Sequence, residues 1–141
     1  MEQKKIGFRL LKIVTEQFAV IEQEINEQEI TLQAAIDFGI DAQNKVVGCF
    51  CRFKFNTADK TFIVIDLKCE FKVRKQEWET FISKNSIMFP AGFLRHLATI
   101  TVGTTRGVLH SKTENTPYNK YFLPTINVND FVKEQPFSLT E

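Results

Sequence analysis

The period of the hydrophobic pattern changes once along this chain, and that change limits the fold more than any other feature. Up to about Arg74, apolar side chains recur at every second residue; beyond it they recur at three- and four-residue spacing. Period two belongs to strands and the longer period to helices. Ile30, Leu32, Ala34, Ile36, Phe38 and Ile40 alternate with Thr31, Gln33, Asp37 and Gly39, only Ala35 departing from polarity between them. Val47, Cys49, Cys51, Phe53 and Phe55 form a second set around Arg52 and Lys54, and Asn56 to Asp59 reads as a turn. Ile63, Ile65, Leu67, Cys69, Phe71 and Val73 then alternate with Asp66, Lys68, Glu70 and Lys72. One-sided strands joined by short turns predict an antiparallel sheet with one buried face. The first segment switches parity at Leu10-Leu11, which predicts a bulge or bend. The polar run from Glu22 to Glu29 reads as a connection. Four strands follow, over about 6–21, 29–41, 45–56 and 60–74.

Past Arg74 the pattern predicts a short helix over Lys75 to Ile82, a break at Lys84-Asn85-Ser86, and a long helix from about Pro90 to Ser111. A proline at the first turn suits a helix start. Phe93, Leu97, Ile100, Thr104 and Val108 make one stripe on it; Leu94, Ala98, Thr101, Thr105 and Leu109 make the next. The remainder carries Pro117, Pro124 and Pro136 and reads as an irregular covering segment, with a short helix near Val128–Lys133. The expected architecture is α+β, one domain over 1–141: strands over about 6–74, helices over about 75–111 and a tail over 112–141. At 141 residues such a domain buries a sufficient core without disulfide or metal.

The net charge of +1 supplies no steering toward nucleic acid or an anionic membrane. The charge is unevenly spread: residues 1–44 hold 4 basic and 8 acidic side chains, whereas residues 45–84 hold 9 and 5. Charged strand faces turned to water account for this in the simplest reading. No apolar h-region follows Met1 to Lys5, and no run approaches the roughly 20 apolar residues of a membrane helix. A cytoplasmic protein with reduced thiols and no membrane insertion is expected.

Catalytic constellations are weakly represented. His96 and His110 lie 14 residues apart on the long helix, about 21 Å at its rise, too far to share a proton or metal. No nucleophile elbow or phosphate-binding glycine loop occurs. Cys49, Cys51 and Cys69 share the inward parity of two strands; zinc is one reading and core packing the favoured one. Lys68, Lys72 and Arg74 line an outward face near Arg52 and Lys54, but Asp66 and Glu70 interrupt them, so no nucleic-acid partner is expected. No enzyme, metal or cofactor is expected.

The composition matters where it concerns phenylalanine: 14 Phe against 1 Trp and 2 Tyr. Phe38, Phe53, Phe55, Phe71 and Phe93 fall on inward faces. Phe50 and Phe62 carry the opposite parity, and Trp78, Tyr118, Tyr121, Phe122 and Phe137 lie outside the sheet. Apolar groups on a solvent face mark an interface or a ligand surface, the alternative being burial under the tail. The long helix also holds a small-residue stretch, Ala98 to Gly107, suited to close helix–helix approach within or between subunits.

Several motifs, in order, resemble one family. Ile87-Met88-Phe89-Pro90-Ala91-Gly92-Phe93-Leu94-Arg95 resembles the start of the long helix in the SecB export chaperones. Thr104-Thr105-Arg106-Gly107 resembles the end of that helix, Leu123 to Val128 its tail, and Phe62 to Phe71 its last strand. The resemblance implies a SecB-like protomer that dimerises and assembles into a homotetramer, a dimer of dimers. It implies an ATP-independent chaperone, a holdase for unfolded client polypeptides, including preproteins for protein export. Phe50, Phe62, Trp78, Tyr118, Tyr121 and Phe122 are the client-binding or interface candidates; Arg95 and Arg106 read as structural. Export members are acidic, which helps them dock on the SecA motor; this near-neutral chain leaves SecA docking an open expectation. The link Val108 to Phe122 is also longer than usual. A dedicated chaperone or adaptor of a single partner, such as an antitoxin, is the alternative.

Overall fold

A computed structural model describes residues 6–139. Four long strands, β1 (Phe8–Val20), β2 (Ile30–Asp41), β3 (Val46–Thr57) and β4 (Lys60–Val73), form an antiparallel sheet in the order β1-β4-β3-β2. The hairpins close through residues with positive φ, Lys45 at 56° and Ala58 at 52°. The polar connection over 21–29 carries the chain from the β1 edge across to the β2 edge. Helix α1 (Lys75–Thr80) follows, then a small hairpin of β5 (Ile82–Ser83) and β6 (Ser86–Ile87), then helix α2 (Ala91–Thr113). The tail makes 3-10 turns at Pro117–Lys120 and Val128–Asp130 and ends as β7 (Phe137–Ser138), which pairs with β6.

The expected alternation sets the two faces. Row by row, Leu10–Phe71–Val47–Ile40, Ile13–Cys69–Cys49–Phe38 and Thr15–Leu67–Cys51–Ile36 line the inner face. Helix α2 lies on the β3 and β4 part of this face. Its buried line is Leu94, Leu97, Ala98, Thr101, Thr105 and Leu109. Thr101 and Thr105 enter the core because their hydroxyls donate to the carbonyls of Leu97 and Thr101, at 2.8 and 2.7 Å. The three cysteines beneath are free and buried. Burial pushes the Cys69 thiol up, and hydrogen bonding to Cys49 with burial pushes up that of Cys51.

Several boundaries differ from the sequence expectation, each for a local reason. Helix α1 stops at Thr80 instead of Ile82, because Ile82 joins a hairpin that turns at Lys84, whose φ is 58°. Helix α2 runs two residues past Ser111, ends where Asn115 adopts φ 64°, and begins after Pro90, which caps it. The helix expected near Val128–Lys133 is a single 3-10 turn. The second sheet, β5-β6-β7, is too short to leave a period in the sequence. The bulge expected at Leu10-Leu11 is present, and a second one lies at Glu16. Among the described residues no helix is long and apolar enough to cross a membrane.

Candidate functional site

The six aromatic candidates do not form one surface. Phe62 is fully buried because the β3–β4 pairing carries a bulge: Phe55 pairs with Ile63 while Asn56 pairs with Thr61. The extra residue turns Phe62 onto the face of Phe55, 6.2 Å between ring centroids, and Tyr121 covers it at 5.0 Å. Parity counted back from Ile63 fails at that bulge. Trp78 is also buried, its ring 5.5 Å from Phe89 in a cluster with Phe81, Phe93, Phe8 and Phe71. These two residues are core, which corrects their expectation as contact residues of the protomer surface.

Phe50 stands on the outer face and is 37% exposed. Its ring lies on two glycines that face each other across β2 and β3: a Cβ on Gly48 would come within 3.3 Å of it, one on Gly39 within 3.6 Å. An aromatic ring over a glycine pair restores the cover that the missing side chains leave open. The Lys68 ammonium lies 5.8 Å from the ring centroid. Phe50 therefore has a local structural task as well as exposure.

The other candidates gather on the tail. Tyr121 packs on Phe55 and Phe62, and its hydroxyl donates to Glu27 Oε1 at 2.7 Å; Lys120 Nζ reaches the same oxygen at 2.8 Å. These hydrogen bonds hold the Glu27 carboxyl below the usual carboxylate range. The connection over 21–29 and the tail are thus latched together. Tyr118 is half-buried, and Phe122, 56% exposed, stacks on His110 at 6.2 Å. Arg106 holds the next residues to the helix, donating to the carbonyls of Leu123 and Pro124 at 3.0 and 2.8 Å. A groove of about 260 Å³ runs between α2 and this segment, lined by Val102, Leu123, Ile126 and Val128 together with Thr99, Thr125 and Arg106.

A second uncovered surface was not anticipated. Helix α2 meets β1 only near its start, where Phe93 and His96 pack on Phe8, so the inner side of this edge strand is open to water at Leu10 and Ile13. Leu10 and Ile13 pair with the buried Phe71 and Cys69 yet are 43% and 47% exposed; Leu11, at the bulge, is 45% exposed. The sequence shows only a parity switch in this segment, and parity reports which face a residue takes, not whether that face is covered. The adjoining side of α2 is thin. Gly103 and Gly107 are exposed, and a Cβ on either would meet nothing within 4 Å among the described residues.

The polar groups offer little chemistry. Among the described residues no three His, Cys, Asp or Glu side chains gather as a metal site. His96 packs edge-on to Phe8, while His110 lies 3.4 Å from Glu114 and contacts Asn119 through Nδ1. Arg52 and Asp66 form a bidentate pair, and Lys68 meets Glu70, which splits the basic line on β4.

No family model and no curated protein matches this chain in sequence. Among solved structures, a SecB-like chaperone of Mycobacterium tuberculosis, in complex with an antitoxin peptide, is 15% identical with a TM-score of 0.48, the alignment covering 86% of this chain and 90% of that one. A Streptococcus agalactiae protein of unknown function is 9% identical with a TM-score of 0.46, covering 88% and 100%.

Proposed function

We propose that the chain is a SecB-like, ATP-independent holdase that works as an oligomer. The observation that carries this reading is the set of large apolar side chains the protomer leaves exposed: Leu10, Leu11 and Ile13 on the β1 edge, Ile21 at its end and Phe122 on the tail. Soluble monomers rarely leave such surface open unless it meets a partner. The ordered sequence motifs of the family support the same reading.

The two surfaces divide the work. The β1 edge, with unpaired backbone groups and aliphatic side chains, suits a second copy of the chain. Phe122, Tyr118 and the groove between α2 and the tail, with apolar and polar groups side by side, suit unfolded client segments, whose scattered side chains and backbone need no fixed motif. Each contact is weak, and several grooves in one oligomer raise the overall affinity by avidity. A client stays unfolded by mass action, because its folded state offers nothing to the grooves.

The test is aggregation suppression. Several unrelated unfolded proteins, mixed with equimolar chain and no nucleotide, are followed by light scattering. Suppression of all of them is the expected result. Suppression of one alone assigns the chain a single partner, and none, together with a monomeric mass, ends the holdase reading.

A further inference from the structure

Two oppositely charged surfaces lie at the two ends of the same apolar edge strand. At the start of β1, Arg9, Lys72, Arg74 and Lys75 line one depression of about 360 Å³. Arg9 pairs directly with Lys72 across the strands, and like charges facing each other cost the sheet stability. The Arg74 guanidinium lies against Gly7, within 2.9 Å of where a Cβ would stand. Two of the four cations are engaged, Arg74 with Glu77 and Lys72 with the Asn44 carbonyl beside Asp41, while Arg9 and Lys75 make no ion pair among the described residues. Glu77 is turned inward, accepting from the Gly7 amide at 3.2 Å and lying 3.6 Å from Arg74. Glu70 is taken by Lys68, and Asp41 is tied to Asn44 on the far edge. At the other end, β1 runs into the connection where Glu22 and Glu24 are exposed.

We infer that the basic corner is a docking surface for the acidic 21–29 connection of a second copy, engaged when two β1 strands pair antiparallel about Val14. This rests on the self-association proposed above and gives it a register. Val14 is the midpoint of Phe8–Val20, and the two bulges fall on either side of it. Pairing about Val14 sets Leu10 opposite the other copy's Phe18 and Ile13 opposite its Thr15, all four on the inner face. It sets Lys12 opposite Glu16, an opposite-charge cross-strand pair. Gly7 then faces Ile21, so Arg74 and Lys75 meet Glu22 and Glu24 as the partner chain leaves its strand. Two-fold symmetry makes the clasp twice, once at each end. Head-to-head pairing in the parallel sense would instead bring the two basic corners together.

The experiment is a charge swap on the full chain, with self-association read by analytical ultracentrifugation and folding by circular dichroism. R9E/K75E, and separately E22K/E24K, are each expected to weaken self-association at least tenfold at low salt. The quadruple variant is expected to recover most of it, since the swapped charges again complement. Raising the salt should shrink the difference between wild type and the double variants. A self-associating wild type with no loss in either double variant, or loss without recovery in the quadruple, overturns the clasp and leaves the β1 interface standing. Unchanged self-association with loss of binding to a Glu-rich unfolded peptide assigns the corner to clients and overturns it too. A wild type that is monomeric at every concentration removes both the interface and the clasp.

Discussion

Phe62→Ala would empty a site closed by Phe55 on one side and Tyr121 on the other, and is expected to cost about 3–5 kcal/mol in urea unfolding. Phe122→Ala removes a ring that is mostly in water, and is expected to change stability by less than about 0.5 kcal/mol while weakening aggregation suppression. The two residues shared one list in the sequence because parity and position were the only signals there. What separates them is a bulge near the β3–β4 turn and a tail residue that returns to cover it, and neither leaves a local trace. Phe50 was legible as an off-parity aromatic, but its reason, the facing Gly39 and Gly48, needs the strand register. Glu27 is the pH-sensitive member of the tail latch. Lys120 and Tyr121 lower its pKa, so its contribution is full above the ordinary glutamate value of about 4.3 and is lost as pH falls through the lowered value. The NMR shifts of the Tyr121 ring should therefore move on acidification below about pH 4, and Glu27→Gln should remove that transition.

At the scale of elements, alternation carried most of the information. Strand boundaries fell within two residues of those expected, and the buried stripe of α2 was one of the two the spacing offered. The two-residue strands of the second sheet were not legible, since they depend on Phe137 returning from the end of the chain. Nor was the covering of β1: a helix can shield only the strands it crosses, and which strands lie under α2 follows from the order β1-β4-β3-β2. Helix α2 also carries glycines that its own protomer does not require. Gly103→Ala is expected to stabilise the isolated protomer by about 0.5–1 kcal/mol in urea unfolding, because the added methyl meets open space and a mid-helix glycine costs that much. A fall in self-association alongside that gain would mean that the small face is used between copies.

For the whole molecule, about half of the phenylalanines gather in two aromatic clusters at opposite ends of one sheet. One surrounds Phe89 beneath α1 and the start of α2; the other climbs from Phe55 through Phe62 to Tyr121 and the exposed Phe122 beyond it. The first stabilises the protomer, while the second leads from the core to the surface and brings an apolar group to water. Glu22 and Glu24 beyond one end of β1, and Arg9, Arg74 and Lys75 at the other, give the open edge a direction. The most direct measurement of the account is size-exclusion chromatography with light scattering, run on the chain mixed with a permanently unfolded polypeptide and no nucleotide. A SecB-like oligomeric holdase should give a co-eluting complex whose mass contains more than one copy of the 16.3 kDa chain. Separate peaks, with the chain at its monomer mass, would contradict it.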